Sequence, residues 1–344
     1  MNGVIIVDKP AGFTSHDVVN RMRRILGQKS VGHLGTLDPL ATGVLPLVTG
    51  GLTRLAQFYT TSEKSYEGTI RFGFATNTYD ADGEPAGEVH QVTLSLEHLQ
   101  QLASRFQGVI EQVPPPFSAK KIHGVPAYKL ARKQQEVILK PVQVEIKEFA
   151  ILSVDAERAT FRARVASGTY MRSVAHELGQ LQGSGAHLES LRRTAVAEFD
   201  IAQAHTLEEI EGQMMKKQIK EGEVEEEQMK RKEDHLRDCH SELGRRPGEE
   251  PAVRSHEALF ALFIHPRQLL PKFPSVTADE ATVARIRNGR PINLPELSRA
   301  RQVKVFSGQS DLIAIATRVA GTLFHPKIVL VAETCGTDTR VRRL

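Results

Sequence analysis

One carboxylate in this 344-residue chain stands apart by its surroundings. Asp38 lies within KSVGHLGTLDPLATGVLPLVTG (residues 29–50), where flanking glycines and prolines forbid a regular helix or an interior strand. Leu34, Leu37, Leu40, Val44 and Leu45 make the segment too apolar for an open loop, so it must lie partly against the core. A carboxylate held there is costly unless a cation or several donors meet it. Either Asp38 caps the turn before Pro39, or it is kept for chemistry. Other chemistries lack their residues. Asp80-Ala81-Asp82-Gly83-Glu84 opens like a calcium loop, but Pro85 stands where that loop needs glycine, and Gln91 where it needs its closing glutamate. Thr49-Gly50-Gly51-Leu52-Thr53 has neither the lysine nor the spacing of a phosphate loop, and no HExxH, GxSxG or GxGxxG occurs. Cys239 and Cys335 stand far apart with no metal-ligand spacing, which speaks against a disulfide framework or a zinc site and fits a reducing, cytoplasmic setting.

The elements that would bring Asp38 its partners can be read from periodicity. Gly3–Val7 is an apolar run that predicts a buried strand, broken by the turn residues Asp8 to Gly12. A helix follows from about His16, with Thr14 or Ser15 as its cap. Val18, Val19, Met22, Ile25 and Leu26 face inward and Gly27 is the stop. Residues 64–75 alternate, placing Tyr66, Gly68, Ile70, Phe72 and Phe74 on one face. A strand over Thr160–Ala166 leads into SGTYMRSVAHELGQLQG, where Met171, Val174, Ala175, Leu178 and Leu181 recur at helical spacing, and another strand is expected from Leu191 to Phe199. Strands dominate and connections vary in length, so the class is α+β. Residues 211–255 are dense in both charge signs and poor in apolar residues, which predicts a solvated helical excursion or a disordered insert. Beyond it, Thr277-Ala278-Asp279-Glu280 has the form of a capping box for a helix ending at Gly289. Short strands at Gln302–Phe306, Leu312–Arg318 and Lys327–Ala332 then make a small β-rich unit. Two domains are expected, residues 1–270 and 271–344. No apolar run approaches the roughly 20 residues of a membrane span, and MNGVIIVDKP lacks the features of a secretory signal. The net charge of +4 is compatible with a polyanionic partner.

Against this background GHLGTLDPLATGVLP closely resembles the signature loop of the TruB family of pseudouridine synthases, in which the aspartate before the proline is the nucleophile. GVIIVDKPAGFTSHDVV resembles the family's N-terminal segment, and KSYEGTIRFGFATNTYDADGE its strand bearing the active-site tyrosine. PPPFSAKKIHGVPAYKLAR resembles the loop that closes over RNA, and SGTYMRSVAHELG and GAHLESLRRTAV the arginine-bearing helix and the strand after it. The resemblance implies a pseudouridine synthase fold, a mixed, mostly antiparallel sheet flanked by helices. Residues 271–344 are similar to a PUA-like RNA-binding domain, while the 211–255 insert departs from the family's short connection.

The resemblance also implies roles. Asp38 is the nucleophile that isomerises a flipped-out uridine at position 55 in the TΨC loop of tRNA, with neither cofactor nor metal. Arg172 pairs with it; in the first turn of a helix starting near Thr169 a cation opposes the helix dipole, which a nearby carboxylate would offset. Tyr66 stacks on the target base, with proton transfer a further role open to it. Tyr170 and Leu191 line the pocket, and His33 meets RNA beside the extruded nucleotide. Lys9, Arg192, Arg193 and the basic loop of Lys120 and Lys121, with Lys129, Arg132 and Lys133, are candidates for phosphate contacts. The expected partner is tRNA alone, bound by a monomer, with no membrane and no protein partner. The alternative is a non-catalytic tRNA-binding or folding chaperone on the same scaffold, against which the trio Asp38, Tyr66 and Arg172 counts. A guide-RNA-dependent relative is disfavoured by the loop at 114–136 and the short C-terminus.

Overall fold

The computed structural model describes residues 2–216 and 262–330, apart from 119, 123, 132, 134 and 136. In chain order its first strands are β1 (Gly3–Lys9), β2 (Val31–His33), β3 (Thr42–Thr49) and β4 (Lys64–Phe72), then the short pair β5 (Ala75–Thr76) and β6 (Pro85–Ala86). There follow β7 (Gly108–Gln112), the pair β8 (Lys121–Ile122) and β9 (Val125–Pro126), β10 (Val142–Asp155), β11 (Arg158–Val165), β12 (Ala186–Val196), β13 (Phe199–Asp200) and β14 (Phe263–Ile264). Apart from the two short pairs they form one ten-stranded sheet, ordered β14-β1-β3-β12-β4-β11-β10-β7, with β2 on β3 and β13 on β12. All its pairings are antiparallel except β12 with β3, where Arg192 lies opposite Thr42 and Arg193 opposite Gly43. That parallel contact joins the Asp38 segment to the middle of the sheet, and it corrects the expectation that residues 29–50 exclude an interior strand, since β3 lies between β1 and β12 despite Pro46.

The helices α1 (Ser15–Ile25), α2 (Ala56–Tyr59), α3 (Leu96–Ser104), α4 (Ala127–Ala131) and α5 (Met171–Gln182) connect these strands. Helix α1 begins as expected, with a capping box between Thr14 and Asp17 that meets otherwise unpaired N–H groups, and it buries Val18, Val19 and Met22. In α5, Met171, Val174, Ala175 and Leu178 are buried as the spacing predicts, but Leu181 is 47% exposed. One core cluster joins α1, α3 and α5 to the sheet through Val18, Met22, Leu99, Phe161, Val174 and Leu178. On the other face Val4, Ile6, Val44, Val48 and Tyr59 meet Phe306, Leu312 and Ile328 of the C-terminal region. That region is β-rich as expected: a five-stranded sheet ordered β15 (Ser275–Ala278), β17 (Gln302–Ser307), β18 (Asp311–Ala320), β19 (Leu323–Val329), β16 (Ile292–Asn293), with helix α6 (Glu280–Arg287) against it.

Several local expectations need correction. Strand β4 stops at Phe72 because Gly73 turns at φ +104°, so Phe74 leaves the Tyr66 face and packs its ring 4.7 Å from His187. Strand β12 starts at Ala186 rather than Leu191, and the chain turns at Ala197 (φ +51°) before β13. The cap of α6 is Asp279, whose side chain accepts from Thr282 N–H, not Thr277. Residues 207–216 are helical, with Ile210 and Met214 buried in the main core and Glu211 paired to Arg21 at 2.8 Å. Residues 217–255 of the charged insert, Arg132 and both cysteines lie outside the described residues.

Candidate active site

Asp38 is held in a loop pinned from several sides. The Ser15 hydroxyl donates to Leu37 O (3.1 Å) and accepts from Leu37 N–H (2.8 Å), and Gly12 N–H donates to Pro39 O (2.9 Å). Arg193, fully buried on β12, donates to Val44 O (2.8 Å), Thr36 O (3.1 Å) and Gly35 O (3.0 Å). Lys9, also fully buried, donates to Pro10 O (2.9 Å), Phe13 O (2.6 Å) and Pro39 O (3.2 Å). Every one of those acceptors is a backbone carbonyl, and Pro39 O is shared between Lys9 and Gly12 N–H. The two cations therefore build the loop, and the expectation that they reach phosphates is corrected: neither touches solvent. Burial pushes the Lys9 ammonium down to about 8, opposed by nearby Asp38 and reinforced by Arg193. The β3–β12 approach that makes this possible depends on Gly43, where φ is +98° and a Cβ atom would fall 2.2 Å from Arg193 O.

The Asp38 carboxylate itself meets Arg172, as expected. Arg172 Nε lies 2.9 Å from Asp38 Oδ2, and Nη1 lies 3.3 Å from a second carboxylate, Asp80 Oδ2. Nη1 also donates to Thr78 O (3.2 Å) and Nη2 to Phe117 O (3.0 Å). One planar guanidinium thus ties together four segments remote in sequence, a task that five fixed N–H donors suit. Side-chain exposure separates the two acids. Asp38 is 40% exposed while Asp80 is 7% exposed and Arg172 6%. Only Asp38 can meet a substrate; Asp80 faces inward and serves Arg172.

Arg172 sits in the first turn of α5, and the start of that helix is fixed by a residue the sequence reading missed. Gln112, fully buried on β7, accepts from Tyr170 N–H (2.8 Å) and donates back to Tyr170 O (3.2 Å). Ser173 adds a bond to Val113 O at 2.7 Å. Asp80 was also missed, having been weighed only as a calcium ligand. Its Oδ1 accepts from the Thr78 hydroxyl (2.5 Å) and from Asp82 N–H (3.2 Å), so both oxygens are engaged inside the fold.

Tyr66 and Arg193 are cross-strand neighbours on β4 and β12. Tyr66 is 7% exposed; burial pushes its phenol up, and Arg193 works against that shift. Leu191 lies two residues before Arg193 on the same strand, buried with Tyr66, Leu37 and Ala41 in one cluster. Tyr170 is half-buried at the cap of α5, its phenol pushed up by burial, with the nearby Ser118 side chain acting against that shift. The structure thus brings Asp38, Arg172, Tyr66, Leu191 and Tyr170 to one end of the sheet. His33, on β2, is half-buried; burial lowers its imidazole, with Arg193 and His16 adding to the shift, and Nδ1 accepts from Gly35 N–H at 3.3 Å. Arg192 is 43% exposed and already paired with Asp8 at 2.7 Å. Lys120 and Lys121 are exposed at the β8 hairpin. Among the described residues, no group of three or more His, Cys, Asp or Glu is placed to hold a metal, and no helix is long and apolar enough to cross a membrane.

Comparison with known proteins bears on this arrangement. The N-terminal domain of the TruB family pseudouridylate synthases matches residues 23–171, and the tRNA pseudouridylate synthase B C-terminal domain matches residues 172–239. The tRNA pseudouridine synthase B of Solibacter usitatus is 45% identical over 333 residues, covering 96% of this chain and all of that protein. The Opitutus terrae protein of the same name is 44% identical over 211 residues, 61% of this chain and 88% of that one. Among solved structures, the fold is shared with a Cbf5–Nop10–Gar1 complex (TM-score 0.61, 22% identity, 93% of this chain and 79% of that chain). It is shared also with an H/ACA RNP bound to a substrate RNA containing 2′-deoxyuridine (TM-score 0.62, 20% identity, 96% and 86%). Matched by both family domains and by a full-length relative at 45% identity, the chain belongs to the TruB family of pseudouridylate synthases.

Proposed function

We propose that the protein isomerises uridine to pseudouridine in tRNA, at position 55 of the TΨC loop, with Asp38 as nucleophile. The observation that carries this reading is the unequal pair of acids on Arg172: a buried Asp80 that fixes the guanidinium, and an accessible Asp38 that the guanidinium holds by one oxygen. With Oδ2 committed to Arg172, Oδ1 is the atom that attacks. Its bond holds one fragment covalently while the C–N glycosidic bond breaks, uracil turns, and a C–C bond to the ribose replaces it. The product has the atoms and electrons of the substrate, so the reaction calls for no redox cofactor. The carbon that joins the ribose must lose a proton, and Tyr66, the cross-strand neighbour of Arg193, passes that proton on. Leu191 and Tyr170 supply shape around the ring.

A base inside a helical stack cannot present its glycosidic bond to Asp38, so the uridine is flipped out, at a cost of a few kcal/mol. His33 at the loop margin takes up stacking with the neighbouring bases. Lys120 and Lys121, exposed on their hairpin, with the exposed Lys129 and Lys133 and the half-exposed Arg192, are cations that meet phosphates. Residues 1–270 do the chemistry and 271–344 act as a PUA-like grip on the RNA. A monomer acting on tRNA in the cytoplasm suffices for all of these steps.

The test uses an unmodified tRNA transcript, wild-type protein and Asp38→Ala, with pseudouridine mapped by carbodiimide-dependent primer extension. A single new stop marking position 55, present for wild type and absent for Asp38→Ala, is expected. Wild-type protein that binds the transcript and leaves every uridine unchanged would overturn the reading and leave the tRNA-binding chaperone in its place.

A further inference from the structure

Helix α5 grips the loop that carries Asp80 twice, on successive turns. Arg172 makes the first contact, through Thr78 O and Asp80 Oδ2. His176, four residues on and so on the same helix face, makes the second: its imidazole lies on the ring of Tyr79, centroids 3.8 Å apart and planes 10° from parallel. Tyr79 stands between the two residues that hold Arg172, in a left-handed conformation (φ +66°) unfavourable for an aromatic side chain. In extended backbone, neighbouring side chains point to opposite sides. The left-handed turn instead lets both Tyr79 and Asp80 meet α5.

An unfavourable backbone conformation persists only where its surroundings over-determine it. Here the peptide is fixed by Tyr79 N–H to Thr76 O (3.2 Å) and Leu188 N–H to Tyr79 O (3.0 Å), and the side chain by the imidazole. His176 Nδ1 is buried with no hydrogen-bond partner among the described residues, so the ring contributes through its face rather than through a directed bond.

We propose that the His176–Tyr79 stack is a positioning element for the reacting centre, locking residues 78–80 so that Thr78 and Asp80 hold Arg172 in register with Asp38. Neither ring is a catalytic residue; both act through Arg172. The inference rests on the reading of Asp38 as nucleophile given above.

The experiment uses the full chain as wild type, His176→Ala, His176→Phe, Tyr79→Gly and the His176→Ala/Tyr79→Gly double variant. Single-turnover pseudouridine formation, transcript affinity by filter binding, and hydrogen–deuterium exchange across residues 76–82 are measured on each. His176→Ala should slow the single-turnover step about three- to tenfold, the worth of one aromatic stack, with transcript affinity unchanged. His176→Phe, which restores a ring, should recover the rate. Tyr79→Gly suits the left-handed backbone yet removes the stack, and it should be slowed like His176→Ala; the double variant should be no slower than the slower single one. A wild-type rate for His176→Ala, a His176→Phe as slow as His176→Ala, or multiplicative losses in the double variant would each overturn the proposal. Exchange reads the locking itself: it should quicken in His176→Ala and not in His176→Phe. If wild type makes no pseudouridine, the functional reading falls, and unchanged exchange in His176→Ala would separately sink the stack.

Discussion

Asp80→Asn probes the site at a place RNA cannot touch, since the Asp80 side chain is 7% exposed. The substitution preserves shape and removes one charge, but it also sets the hydrogen bonds against one another. Oδ1 of Asp80 accepts from Thr78 and Asp82, and Oδ2 faces Arg172. An amide has one acceptor and one donor end. With its oxygen toward Thr78 and Asp82, its NH2 group points at the guanidinium; flipped, it sets NH2 against the Asp82 N–H. One contact is lost either way, and the one to Arg172 is a buried ion pair at 3.3 Å. If the loss falls on the alignment of Arg172 with Asp38, about 1.5–3 kcal/mol is at stake and the single-turnover rate should drop about 10- to 150-fold. Transcript affinity should stay at the wild-type level, because no RNA-facing group changes. The assay is a rapid-quench time course with excess protein over tRNA, paired with filter binding and a thermal melt that verifies folding. A wild-type rate, or a loss that appears in affinity and leaves the rate intact, would refute the assignment of Asp80 as the residue that sets Arg172.

Three further expectations concern the scaffold. Gly43→Ala places a Cβ against Arg193 O at a positive φ and should lower unfolding free energy by roughly 2–4 kcal/mol, read as a shifted urea midpoint; an unchanged midpoint would mean β3 and β12 are not this close. Gln112→Leu unpairs Tyr170 N–H and weakens the hold on Tyr170 O, for about 1–3 kcal/mol and a slower reaction, whereas a wild-type rate would detach β7 from the placement of α5. Lys9 has a pKa of about 8 when folded against 10.5 in an unfolded chain, so between those values the unfolded state binds more protons and stability rises with pH. The wild-type stability curve should therefore climb relative to that of Lys9→Met by up to about 1.4 kcal/mol per pH unit between pH 8 and 10, with no such change below pH 7. A difference that is flat across this window would show that burial does not lower the pKa of Lys9.

What could be read in advance follows from how local each signal is. The Asp38 loop announced itself because an apolar, glycine-rich segment holding a carboxylate needs a cation, and the Thr14 cap and the β4 alternation are decided by a few adjacent residues. Asp80 was not legible in that way. Its partner lies on α5, and the loop reaches it through a bridge between Asp80 and Leu188 that only the assembled sheet provides. Lys9 and Arg193 read as surface charges because such groups are seldom fully buried, and Pro39 O for Lys9 and all three acceptors of Arg193 come from a segment distant in sequence. Strand β10 escaped notice for another reason. Its buried positions run Val144, Ile146, then Phe149, Ile151, so a bulge between Ile146 and Glu148 changes the parity of the pattern. At the start of the charged insert, composition averaged over a long window hid Ile210 and Met214, which pack into the core as firmly as any strand residue.

The four-way grip of Arg172 has a consequence for the birth of the protein. Asp38, Thr78 with Asp80, and Phe117 leave the ribosome well before Arg172 does, and α5 must then dock between β7 and β12 before the guanidinium can find them. Until that moment the nascent chain holds an acid with no counter-ion to orient it. If Asp38 is the nucleophile proposed above, its chemistry waits until this long-range topology is complete. A fragment ending before α5 would carry the signature loop in full and still be unable to act on RNA.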